Sequence, residues 1–178
     1  MAWTAPMTAV ANTAFTAAQF NVHVRDNLLE TAPAKAATPG GYFVTTGANS
    51  ITERTAASTV VATSETTTST AYTALATAGP SVTVTTGTSA LVWIAARVGN
   101  DLDNSQSKVS FAVSGSTALG PSDDWAVVRD GEAGGVPSRR GSAHGVVLTS
   151  GVNTFTMKYS VGSGTGTFSD REIIVMPF

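Results

Sequence analysis

The sequence contains no cysteine, which excludes disulfides, thiolate metal sites and cysteine nucleophiles together. Charge is nearly as scarce. Asp, Glu, Lys and Arg make up 12% of residues, about half the usual share. The 10 basic residues are scattered, with Arg139-Arg140 the one adjacent pair, and the formal net charge is −2. No basic field exists to recruit nucleic acid or anionic lipid. No apolar run approaches the roughly 20 residues of a membrane span. The opening "MAWTAPMTAV" lacks the basic-then-apolar order of a signal peptide. The expectation is a soluble chain made in a cytoplasm, with neither nucleic acid nor membrane as partner.

What is abundant is threonine, with 28 residues, and glycine, with 17, in a chain of 178. That length suits one domain with a real core. The branched β-carbon of threonine fits a pleated strand while its hydroxyl keeps the outer face wet. The pattern describes a polar, weakly charged β surface, better suited to an assembly than to solubility maintained by charge.

One stretch reads as a helix, "FTAAQFNVHVRDNLLETAP", residues 15–33. Thr16 and Gln19 form a T-x-x-Q capping box, and Phe15 and Phe20 the hydrophobic staple that accompanies it. Pro33 disfavours helical geometry at Ala32, so the helix should stop near Glu30 or Thr31. Phe20, Val24 and Leu28 recur every four residues, which makes the helix amphipathic and in need of a cover. The following "ETAPAKAATPGG" has two prolines, small residues and a Gly-Gly pair, the composition of a semi-extended spacer. The boundaries expected are an arm and helix over 1–31, a spacer over 32–41 and a β domain over 42–178.

Within that domain short apolar or β-branched runs alternate with Gly, Asn, Asp and Pro turns. Phe155, Met157, Tyr159 and Val161 alternate with Thr156, Lys158 and Ser160, one face buried and one wet. "ALVWIAA" is apolar at nearly every position and reads as a central strand covered on both sides, with Trp93 packed inside. Eight or more such strands predict a mainly β protein, a single jelly-roll-like β-sandwich.

No catalytic, metal or cofactor-binding set emerges. His23 and His144 lie in unrelated segments, and a triad needs a nucleophile and a carboxylate converging on one of them. Asp101, Asp103 and Asn104 resemble part of a calcium loop but lack its later glycine and bidentate glutamate, so a hairpin loop accounts for them. Asp123 and Asp124 are neighbours, and neighbours on a strand point to opposite faces rather than across a substrate. "GSGTGT", residues 162–167, joins two strands and so reads as a hairpin turn, not a phosphate loop. Asp123, Asp124 and Trp125 remain as a possible ligand or interface rim, and Trp3 as a docking anchor.

The N-terminal residues carry a further signal. Trp3, Pro6, and the T-A-x-x-x-N-x-x-x-R-D-N-L pattern formed by Thr16, Ala17, Asn21, Arg25, Asp26, Asn27 and Leu28 resemble the opening segment of tailed-bacteriophage virion proteins, especially of phages of actinobacteria. Phe20 stands where an aliphatic residue is usual. "NTFTMKYSVGSGTGTFSDREIIVMPF" is similar to the final hairpin of small phage β-sandwich modules. The resemblance implies a non-enzymatic virion protein that forms a homotrimer. It would attach through Trp3, Phe15, Phe20, Val24 and Leu28, with the major capsid protein as partner for a head decoration. The alternative is a minor tail protein, partnered by tail proteins, that recognises a host-surface glycan.

Overall fold

The computed structural model describes residues 3–131 and 136–178, so Met1 and Ala2 of the expected arm lie outside the described residues. The chain forms two compact units, divided between Thr55 and Ala56. That division falls later than the Gly41–Tyr42 boundary expected from composition.

In the first unit, α1 (Ala17–Phe20), a π-helical turn (Asn21–Arg25) and α2 (Asp26–Leu29) run on as one helix. The capping box is present in both halves, with Thr16 and Gln19 reciprocally bonded. The Phe15 and Phe20 rings meet edge to face at 6.1 Å. In the middle turn the Asp26 N–H reaches back five residues to the Asn21 carbonyl, a wider turn that shifts the phase of every later side chain. The expected spacer contains a short helix, α3 (Ala32–Lys35), with Pro33 in its first turn, where a fixed φ and a missing N–H are tolerated. A hairpin follows, β1 (Tyr42–Gly47) and β2 (Ser50–Arg54). It belongs to this unit because Lys35 Nζ donates to the Ile51 carbonyl at 2.8 Å and Glu53 accepts from the backbone of Ala37 and Thr38.

The second unit is a sandwich of β3 (Ala57–Val61), β4 (Glu65–Thr67), β5 (Ser81–Thr86), β6 (Ser89–Asn100), β7 (Gln106–Gly115), β8 (Val127–Asp130), β9 (Ser138–Val147), β10 (Gly151–Val161) and β11 (Gly166–Pro177). One sheet is ordered β5-β10-β7-β8; the other is β3-β11-β6-β9, with β4 beside the first part of β11. Every pairing is antiparallel. Early strands pair with late ones in nested order, β3 and β4 with β11, β5 with β10, β6 with β9 and β7 with β8. A long hairpin rolled into two sheets in this way is the jelly roll. The core lies between the sheets, with Val109, Phe111, Phe155, Met157 and Tyr159 from one and Val92, Ile94, Val98, Phe168, Ile173 and Val175 from the other.

Trp93 departs from expectation. β6 is central, but only its inner face is covered; Val92 and Ile94 are fully buried while Trp93 is 54% exposed on the outer face. Residues of opposite parity on a strand point to opposite faces, and no layer formed by the described residues of the unit covers the outside of this sheet.

Among the described residues the one charged group buried in the core is Arg171, at 0% exposure. A register shift between Ser169 and Glu172 inserts an extra residue into β11 opposite β6, with Asp170 at φ +46°. Parity therefore flips, and Phe168, Arg171, Ile173 and Val175 all face inward. The guanidinium pairs with Glu65 at 3.1 Å, donates to the Thr77 carbonyl at 3.2 Å and lies 5.4 Å from the centre of the Tyr159 ring. Glu65 also accepts from the Thr77 N–H and hydroxyl, and the Tyr159 hydroxyl donates to the Gly79 carbonyl at 2.8 Å. These bonds pin the connection between β4 and β5 to the sandwich. Replacing Arg171 by Ala leaves Glu65 without its counter-charge and opens a cavity, and should cost about 3 kcal/mol or more in a denaturant titration.

Candidate functional site: an arm clamped on an open helix face

In the first unit the helix holds the arm through one buried residue. The Asn27 side chain accepts from the Thr4 N–H at 2.8 Å and donates to the Thr4 carbonyl at 3.0 Å and to the His23 carbonyl at 3.1 Å. His23 Nδ1 lies 3.2 Å from the Ala5 carbonyl. A carboxamide has the donor and acceptor needed to satisfy one extended residue on both sides, as a strand neighbour would. This gives the asparagine of the R-D-N-L pattern a physical role. Sequence reading placed Asn27 in the pattern without that role; the available signal was a helix-interior asparagine, which is unfavourable unless bonded. Arg25 and Asp26 of the same pattern form an exposed pair at 2.8 Å.

Most of the apolar residues of the helix stay open. Phe20 is 48% and Leu28 60% exposed, Phe15, Val22 and Leu29 are exposed with them, and Val24 is half-buried. Trp3 is partly exposed, its backbone N–H bonded to the Asn49 carbonyl, beside a hollow of about 290 Å³ lined also by Thr45, Ser50 and Ile51. The Lys35 ammonium, 2.5 Å away, holds the Glu30 carboxyl below its ordinary range.

In the sandwich, Asp123, Asp124 and Trp125 form a single 3-10 turn capped by Ser122. Asp123 accepts from Lys108 at 2.6 Å and from the Tyr72 hydroxyl at 2.7 Å, and the Lys108 ammonium, then the Tyr72 hydroxyl, hold its carboxyl below the usual value. Burial, and then the Asp123 carboxylate, push the Tyr72 hydroxyl far up. Asp124 accepts from the Ser122 hydroxyl at 3.0 Å. Trp125 stacks on the core ring of Phe111 at 5.8 Å. The turn thus ties two loops together, with Asp123 paired at the surface to Lys108 and Tyr72 and Trp125 packed on the core.

The remaining polar candidates are dispersed. Ser142 Oγ lies 2.7 Å from His144 Nε2, and among the described residues no carboxylate bonds the other ring nitrogen. Asp101 sits in the β6–β7 loop and accepts from the Thr165 N–H at 2.7 Å. No group of three or more His, Asp or Glu among the described residues is placed to hold a metal ion. No described helix is long and apolar enough to cross a membrane.

No protein-family model matches the chain, and no curated protein matches it. Among solved structures, one of infectious bursal disease virus, Gx strain, superposes with a TM-score of 0.49 at 9% identity, over 75% of this chain and 36% of the other. The VP2 subviral particle of infectious bursal disease virus gives 0.45 at 10% identity, over 81% and 38%. A family GH115 4-O-methyl-α-glucuronidase gives 0.37 at 9%, over 83% and 19%. The chain spans well under half the length of these proteins.

Two substitutions check the two ties. Asn27→Ala should release the arm and abolish slow exchange of the Thr4 amide, with the sandwich amides unchanged. Lys108→Ala should raise the Asp123 carboxyl toward its ordinary value in an NMR titration. Because that carboxyl is depressed in the folded state, its tie stabilises above about pH 4 and is lost as pH falls below it. The variant should lose stability near neutral pH and converge on the parent in acid.

Proposed function

We propose that this chain is a non-enzymatic structural protein of a tailed-phage virion, a homotrimeric decoration that binds the head lattice. The observation carrying this reading is the open apolar helix face in the segment that bears the phage-like pattern. A helix of this length is marginal alone in water, and Phe20, Leu28 and Leu29 gain only when a partner buries them. Copies of the helix in a trimer, or the major capsid protein beneath it, supply that burial, and the arm clamped by Asn27 keeps Trp3 beside it as an anchor.

The jelly roll is compatible with this role, being an architecture of viral capsid and lectin domains alike, and fold alone does not select between them. Low charge and a threonine-rich surface suit packing against neighbours. The tail-tip reading, in which Asp123, Asp124 and Trp125 meet a host glycan, has less support, since Lys108 and Tyr72 already occupy Asp123 and Phe111 stacks on Trp125.

The experiment is incorporation into particles. Phe20→Ser with Leu28→Ser should abolish incorporation while the sandwich keeps its β spectrum, and normal incorporation overturns the attachment role. Copy number per particle, measured by quantitative mass spectrometry against the major capsid protein, should approach that of the lattice. A handful of copies assigns the chain to the tail instead.

A further inference from the structure

The two outer faces of the sandwich differ in chemistry. Over β5 and β10 the outside carries hydroxyls that bond across strands, Ser81 with Thr156 and Thr83 with Thr154. Over β11, β6 and β9 it is apolar around Trp93 and Leu91, with ion pairs at one end. Trp93 stands between Ile174 and Ala143, and Leu91 between Met176 and Gly145. The indole lies along the sheet because Gly141 has no side chain; a Cβ there would sit 3.0 Å from the Trp93 Nε1. At Gly145 an added Cβ would meet nothing, so bare backbone is open beside Leu91.

We infer that this face is where copies of the chain pack on one another, with Trp93 at its centre. Two features select a second copy as the occupant. Relief is one: β6 supplies a ridge, Leu91 and Trp93, and adjacent β9 a track of small residues, Ala143 and Gly145. A surface with ridge and track side by side is complementary to itself, whether copies close as a pair or as a ring. Charge is another. At the end of the face Arg97 pairs with Asp170 at 3.3 Å and Arg139 with Glu172, so these charges cancel within each copy and two faces meet without like-charge repulsion. The inference concerns a surface the attachment reading does not use, and stands or falls without it.

The test uses the purified full chain. p-Benzoylphenylalanine placed at Trp93 should, on irradiation at micromolar concentration, join chain to chain, with adducts mapping to β3, β6, β9 or β11. Ala143→Arg, on an exposed position of an edge strand, should weaken association about tenfold or more in sedimentation equilibrium by burying an unpaired guanidinium. Adducts confined to one chain, or mapping only to the helix segment, overturn the inference, as does a chain that sediments as a monomer. Cross-linking through residue 93 by a chain that is absent from particles leaves this face standing and overturns the virion role.

Discussion

One extra residue in β11 fixes which side of that strand faces the core. With Asp170 inserted, both Phe168 and the Ile173–Val175 pair point inward; without it, one of the two sets would lie on the surface. β11 borders β3, β4 and β6, so its parity sets the burial of the whole second sheet. The same step turns Arg171 into the interior, where Glu65, the Thr77 carbonyl and the Tyr159 ring receive it. Ion pair and bulge therefore depend on each other, since a guanidinium is tolerated in a core only when its charge and its donors are met.

Much of the fold was legible because it rests on local patterns. The alternation of Phe155, Met157, Tyr159 and Val161, and the box formed by Thr16 and Gln19, need no distant partner to be recognised. What was missed depends on partners far away in the chain. Trp93 sits in a run that reads as buried on both sides, yet whether a second layer covers β6 is not a property of β6. The hairpin Tyr42–Arg54 joined the first unit through Lys35 and Glu53, contacts that no periodicity displays. In the spacer, Pro33 reads as a breaker for the preceding helix and serves as the start of the next. Around the candidate site the capping box was legible, whereas the π-helical turn and the Asn27 clamp were not.

Low charge has a structural counterpart here. With 12% charged residues, the protein wets one outer sheet face with threonine and serine and leaves the other, around Trp93, apolar. Several of the few charges in the sandwich are spent in pairs, Arg97 with Asp170, Arg139 with Glu172, Lys108 with Asp123 and Arg171 with Glu65. Paired charges hold loops and edges but contribute little long-range repulsion between molecules. Such a surface tolerates close neighbours.

The nesting of early strands with late ones also governs how the chain reaches its fold. β3 and β4 find their partner only in β11, roughly 110 residues later, a distance synthesised in on the order of 10 s. Until β11 is made, β6 lacks one of its two sheet neighbours and β3 and β4 lack theirs altogether. Such topologies form slowly. A threonine-rich, strand-forming chain waiting in this state risks pairing with a neighbouring nascent chain, and the hydroxyls and the turns at Gly, Asn and Pro then act as the restraint on aggregation during synthesis.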